Sequence, residues 1–196
     1  MMRTARPLLP LAAALALSGC FGGTKPPPTL MTLNPAQIRP AQTVRSAAEG
    51  EAITVVVPAV PRELQNLRVP VHETEIGISY LKNAQWVEMP AALFARLLSE
   101  TIAATTGRVV LDPRQFTFDP GQRLSGTLQR FGLDSARMEV VAVYDAALAR
   151  KGGGVTTQRF EARVPVAAGD AASIAPALNQ AANQVATDVA RWVGGA

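Results

Sequence analysis

RLSGTLQRFGL, residues 123–133, decides how the chain is read. Leu124, Gly126 and Leu128 lie two residues apart, the period of a strand with one buried face. The buried set then resumes at Phe131 and Leu133, one residue out of phase. A continuous strand whose side-chain phase slips by one contains a β-bulge, and the slip places it near Gln129 and Arg130. Downstream, Met138, Val140, Ala142, Tyr144 and Leu148 alternate with Arg137, Glu139 and Asp145. Lys151-Gly152-Gly153-Gly154 then turns the chain, and Phe160, Ala162 and Val164 alternate with Arg159, Glu161 and Arg163. This spacing predicts a three-strand antiparallel meander that closes with a hairpin.

Working outward, RVVL (108–111) is a short strand ended by Asp112-Pro113. Before it, residues 88–106 carry Pro90 in a first turn, an apolar stripe of Leu93, Phe94, Leu97, Leu98 and Ile102, and Gly107 directly after, which predicts an amphipathic helix. ITVVVP (53–58) is a β-branched run stopped by proline, expected as a central buried strand. TEIGISY (74–80) alternates Ile76, Ile78 and Tyr80 with polar residues and reads as a half-buried strand, and TLMTL (29–33) as a short one. At the other end Asp170 is a good N-cap, and Ile174, Leu178, Ala181, Val185, Val189 and Trp192 recur every three or four residues until Gly194-Gly195. The expected fold class is α+β: a single mostly antiparallel or mixed β-sheet with two main amphipathic helices packed on one face.

The N-terminal residues follow different rules. Arg3 and Arg6 precede a Leu/Ala run from Leu8 to Leu17, the pattern of a secretory signal. That run falls short of the roughly 20 apolar residues that a membrane-crossing helix needs. Leu17-Ser18-Gly19-Cys20 fits a bacterial lipobox, in which Cys20 becomes the first mature residue and carries a diacylglyceryl group and an N-acyl chain. An ordinary secretory signal with a leftover cysteine, or a buried structural cysteine, are the alternatives. The expected division is a signal peptide over 1–19, an acylated and flexible Gly/Pro tether over 20–28, and one periplasmic domain over 29–196. Phe21 rather than Asp follows Cys20, which under the common bacterial sorting rule sends a lipoprotein to the inner leaflet of the outer membrane of a Gram-negative cell. Three acyl chains hold such a protein on the membrane, where one chain would bind only marginally. Cys20 is the chain's single cysteine, so no intrachain disulfide exists and the fold rests on its core.

Composition excludes several classes of function. Removing residues 1–19 takes away two arginines and no acid, so the formal charge falls from +4 to +2. The basic residues stand singly without aromatic partners, which argues against a nucleic-acid surface. His72 is the one histidine, and in VHETEI the position four residues on is Ile76, so no HExxH zinc motif exists. No metal site, glycine-flanked serine nucleophile or phosphate loop can be assembled; KGGGVTT lies between two strands and reads as a turn. The carboxylate pairs Glu73/Glu75 and Asp112/Asp119 read as solvated edges and loops. No catalytic residue, cofactor or enzymatic activity is expected.

One ordered set of motifs points to a family. An Ile-x-Tyr strand, a short polar loop and Trp-x-Glu opening an apolar helix stand in ISYLKNAQWVEMPAALFARLLSETI (78–102), with Tyr80, Trp86 and Glu88 at the matching positions. Together with Leu30–Leu33, the VVVP strand and RELQNLRV after it, LSGTLQRF, and a final helix ending at Trp192, this order resembles the ABC-type transport auxiliary lipoproteins, including the PqiC-like ones. The early strand lacks the aromatic often found near Leu33, and AQW replaces the commoner basic residue before Trp86. The resemblance implies a non-enzymatic docking or adaptor lipoprotein of an MCE-type ABC system that moves phospholipid or other hydrophobic molecules between inner and outer membranes. Its partners would be the membrane, through the lipid anchor, and an MCE-type periplasmic subunit; homo-oligomerisation stays open. An outer-membrane lipoprotein regulating a peptidoglycan synthase is the alternative. Trp86 buries a large apolar area and Glu88 in a first helical turn would favour the helix dipole, so both are read as fixing a strand-to-helix corner.

Overall fold

The computed structural model describes residues 29–37, 44–113 and 121–195. Its spine is a long strand that carries the bulge. We number the elements in chain order: β1 Ala52–Val55, β2 Arg68–His72, β3 Ile78–Gln85, α1 Pro90–Thr106, β4 Val110–Leu111, β5 Gly121–Asp134, β6 Glu139–Arg150, β7 Val155–Pro165 and α2 Ala171–Gly195.

Along one edge β5 pairs antiparallel with β6 from Gln122↔Arg150 to Asp134↔Glu139, and the register shifts between Leu128 and Arg130, where the phase slip put it. Leu124, Leu128, Phe131 and Leu133 are all buried on the side that faces the helices. β6 continues antiparallel to β7 without a break. The other edge of β5 is shared by two segments in succession. β1 runs parallel to residues 121–124, and the chain stays alongside while Ala59 N–H donates to Gly126 O and Leu128 N–H donates to Ala59 O. It then leaves through a 3-10 turn at Arg62–Leu64 and returns as β2, parallel to β5 at Leu133 and Asp134. The excursion lies opposite the bulge, where the spine bends and its ladder is interrupted. β4 pairs parallel with β1 and β3 antiparallel with β2, giving a mixed seven-stranded sheet. β1 therefore lies between two strands with all four residues buried, as its β-branched run requires.

Both helices lie on one face. α1 starts with Pro90 at the first helical position and stops where Gly107 takes a left-handed conformation, φ 74°. α2 starts where Asp170 caps it, the Asp170 carboxylate accepting from Ser173 N–H at 2.8 Å. Gly121, φ 89°, opens β5 beside Gly50, and a Cβ there would lie 1.8 Å from Gly50 O, so only glycine fits. Ile174, Leu178, Ala181, Val185 and Val189 of α2 join Leu93, Phe94, Leu97, Leu98 and Ile102 of α1 and the inner residues of the sheet in one core.

Two expectations need correction. The strand read at 74–80 spans 78–85 instead. Ile76 sits in the preceding turn, 97% exposed, where Glu73 N–H donates to Gly77 O, and Ile78 is 46% exposed. The residues read as a polar loop, 81–85, belong to the strand. Their polarity reflects an edge position and a wide register irregularity, with Asn83 at φ 55°. At 29–33 there is a single bridge, Met31 with Trp86, rather than a strand.

Candidate docking surfaces

Trp86 closes the corner where the N-terminal segment, the start of β2 and the start of α1 meet. Its backbone N–H donates to Leu67 O at 2.8 Å. On either side of it, Met31 N–H donates to Gln85 O and Val87 N–H donates to Met31 O. The indole is 1% exposed and stacks on Phe131 at 5.3 Å and 15°. Phe131 meets Phe94, and Phe94 meets Tyr144 edge-on, so an aromatic row runs from the corner into the core. The indole N–H is buried without a hydrogen-bond partner among the described residues, so the ring is held by packing.

Tyr80 stands on β3 and ties it to the excursion: its hydroxyl accepts from Asn66 Nδ2 at 3.1 Å and lies 3.4 Å from Glu63 O, while the Arg68 guanidinium covers its ring at 4.3 Å. Glu88 differs from expectation. It precedes Met89, the N-cap, rather than lying in the first turn of α1, and its carboxylate pairs with Arg96 at 3.0 Å with both side chains about half exposed. Such an exposed pair contributes about 0–1 kcal/mol. Tyr80 and Trp86 thus brace the same region from two sides, and Glu88 stands at its surface. Leu17, Ser18, Gly19 and Cys20 lie outside the described residues.

Residues that the sequence reading missed hold the N-terminal segment as a strap over the helices. Asn183, buried in the apolar stripe of α2, accepts from Ala36 N–H at 2.7 Å and donates to Asn34 O at 2.9 Å. Asn179 accepts from Asn34 N–H at 2.8 Å. Leu33 is buried between these contacts and the Trp86 corner, and further along Arg45 donates to Ala103 O. The signal in the sequence was a polar residue inside an apolar stripe, since a buried amide must find partners.

The sheet face turned away from the helices is charged and paired. Asp145 accepts two bonds from Arg159, at 2.6 and 2.7 Å, and one from Gln129 at 3.1 Å. The Arg159 hydrogen bonds hold the Asp145 carboxyl below its ordinary value. Arg163 reaches Glu161 at 2.6 Å and Glu139 at 3.5 Å. At the β5–β6 turn Asp134, 5% exposed, accepts from the Arg137 backbone N–H at 3.2 Å and guanidinium at 3.1 Å, with Arg130 at 3.8 Å. Burial alone would raise its pKa, but the two Arg137 bonds and the charges of Arg137 and Arg130 outweigh it and hold the carboxyl below 3.8.

That depressed pKa contributes stability which is present at neutral pH and lost as pH falls through it. Asp134→Asn is therefore expected to cost about 1–3 kcal/mol near pH 7, with the gap between variant and parent narrower, though not closed, at about pH 3. Urea melts at the two pH values check this, and a gap that stays constant would refute the ion-pair role.

His72 ends β2, where its carbonyl accepts from Ser135 N–H and Oγ. Burial and the Arg130 charge lower its pKa. No group of three or more His, Cys, Asp or Glu is placed to hold a metal ion among the described residues. A cavity of about 440 Å³ between β7 and α2 is bordered by Ala36, Ala162, Asn179, Gln184, Thr187 and Asp188 among others, and the surface they present to it is mostly apolar. A second, of about 530 Å³, lies between β3 and the start of α2. Among the described residues no helix is long and apolar enough to cross a membrane.

The same fold recurs in solved structures. One, an uncharacterized protein, superposes with a TM-score of 0.64 at 17% identity, over 74% of this chain and 94% of its own. Another, a DUF330 protein from Xanthomonas campestris, gives 0.63 at 20% identity, over 85% and 92%. No curated protein sequence matches. These likenesses show a shared fold, a mixed sheet under two helices. The model of the ABC-type transport auxiliary lipoprotein component family matches residues 32–190, from the strap to the last turns of α2, and the chain belongs to that family.

Proposed function

We propose that this auxiliary lipoprotein is anchored through acylated Cys20 in the inner leaflet of the outer membrane, and serves as a docking subunit of an MCE-type ABC system moving phospholipid or other hydrophobic molecules between the membranes. The observation that carries the reading is the family match over 32–190 in a chain whose N-terminal sequence fits a lipobox. Docking is favoured over lipid carriage because the apolar stripes of α1 and α2 are already used up in the single core they form with the sheet. Its role is to hold partners at one membrane, with no bond made or broken. The acylated protein is expected to co-purify with an MCE-type subunit after mild crosslinking in cells producing both. Absence of any such complex, with both proteins present at normal levels, would refute the reading.

A further inference from the structure

Among the described residues, the sheet ends in an edge that no strand covers. β7 pairs with β6 alone, and no isolated bridge touches it among the described residues. Its first five residues, Val155 to Arg159, are exposed, with Val155 at 66%. Val155-Thr156-Thr157-Gln158 contains no charge, proline or bulge, the devices by which folded proteins usually blunt an edge. The first charge, Arg159, is already neutralised by Asp145 on the neighbouring strand.

Backbone parity shows what the edge offers. Val166 N–H donates to Met138 O, and the β6–β7 register runs unbroken from Glu139↔Pro165 to Ala149↔Val155. Alternation therefore turns the N–H and C=O groups of Val155, Thr157, Arg159, Glu161 and Arg163 outward. The cavity of about 440 Å³ runs beside this strand, between Glu161 and Ala162 of β7 and Thr187 and Arg191 of α2, with room for side chains of an added strand.

The chain's own geometry favours one kind of occupant. The described chain begins at the Trp86 corner, on the β3 side of the sheet and level with Phe131. Val155 lies on the opposite edge, four strand spacings across, about 19 Å, and level with Arg123, some 26 Å along the spine. This edge is thus the part of the sheet diagonally opposite the point where the described chain begins. Self-pairing fits less well. Antiparallel registers centred on Arg159 or Glu161 set like charges face to face, and those centred on Thr157, Gln158 or Phe160, which avoid this, all carry the two Trp86 corners to opposite ends of the joined sheet although both proposed anchors share one leaflet.

We propose that β7 accepts an extended segment of the periplasmic partner protein as an eighth strand, uncharged where it faces Val155–Gln158. The proposal rests on the docking reading above and names the surface through which docking occurs. Main-chain bonds supply the affinity and the groove beside α2 supplies selectivity.

The test uses the full-length acylated protein in cells that also produce an MCE-type subunit. A photocrosslinking p-benzoylphenylalanine is placed at Val155, or at Ile76 on the opposite edge as comparison. Thr157→Pro removes an outward N–H and leaves the β6 ladder intact, so melting and acylation should be unchanged. The expected result is an adduct between position 155 and the MCE-type subunit, absent from position 76 and reduced about tenfold by Thr157→Pro. An adduct that survives Thr157→Pro, forms from position 76 instead, or joins two copies of this chain overturns the proposal while leaving the docking reading in place. If Thr157→Pro lowers the melting temperature, Thr157→N-methylalanine incorporation by ligation reads the same backbone bond. Failure of the two proteins to associate through any surface, seen with an amine-reactive crosslinker in the same cells, overturns both.

Discussion

Replacing Trp86 by alanine is expected to remove about 3–5 kcal/mol of folding free energy, a large share of the total for a domain of this size. Trp86 is the largest of the fully buried side chains, and the cavity left by its removal would open between Phe131 and the strap that Met31 begins. The two backbone bonds of Met31 flank the same residue, so loss of the ring should loosen the N-terminal segment along with the core. Urea denaturation followed by circular dichroism measures the first effect, and hydrogen exchange at residues 31–36 the second. Trp86→Phe, which keeps a ring against Phe131, should recover about half of the loss. A cost below about 1 kcal/mol for the alanine variant would show that the corner is not where the fold is held.

Cys20→Ser is expected to abolish acylation, leave the precursor uncleaved by the lipoprotein signal peptidase, and remove function in a complementation assay. A version starting at Thr24 behind a cleavable signal should nevertheless fold as a soluble periplasmic domain. Among the described residues the first bonded into the domain is Met31 and the first buried side chain is Leu33, so this shortening leaves every described contact in place. Its melting should match that of the mature protein within about 0.5 kcal/mol. A shortened domain that aggregates or melts far below the parent would place residues 20–23 within the fold, against the tether reading.

These two predictions mark what the sequence makes legible. Phase within a strand is a local property, so the bulge between Leu128 and Arg130, the β5–β6–β7 meander and the stripes of α1 and α2 can be read directly. Alternation also misled. Ile76 and Ile78 have the spacing of a buried face, yet the turn at Glu73–Gly77 places Ile76 in solvent, because register depends on where the chain reverses. Parallel pairing of both β1 and β2 with one edge of β5 was not legible, since their partners lie more than 60 residues away and leave no mark in their own composition. At the corner, Trp86 could be read as architecture from its bulk and position, but the strap could not: Asn179 and Asn183 look like ordinary polar residues of a helix until the chain segment they bind is in view.

The strap also shortens the leash. Because Met31 to Ala36 are bonded to β3 and α2, only about ten residues separate them from the proposed anchor at Cys20, a contour length of at most roughly 30–35 Å. A body confined to a half-sphere of that radius experiences an effective concentration on the order of ten millimolar toward any surface presented inside it. A contact with a dissociation constant near 1 mM, almost invisible between free proteins in a test tube, would then be occupied most of the time. Weak affinity in solution is thus the expected property of a lipoprotein anchored at Cys20, with dissociation fast enough for partners to exchange.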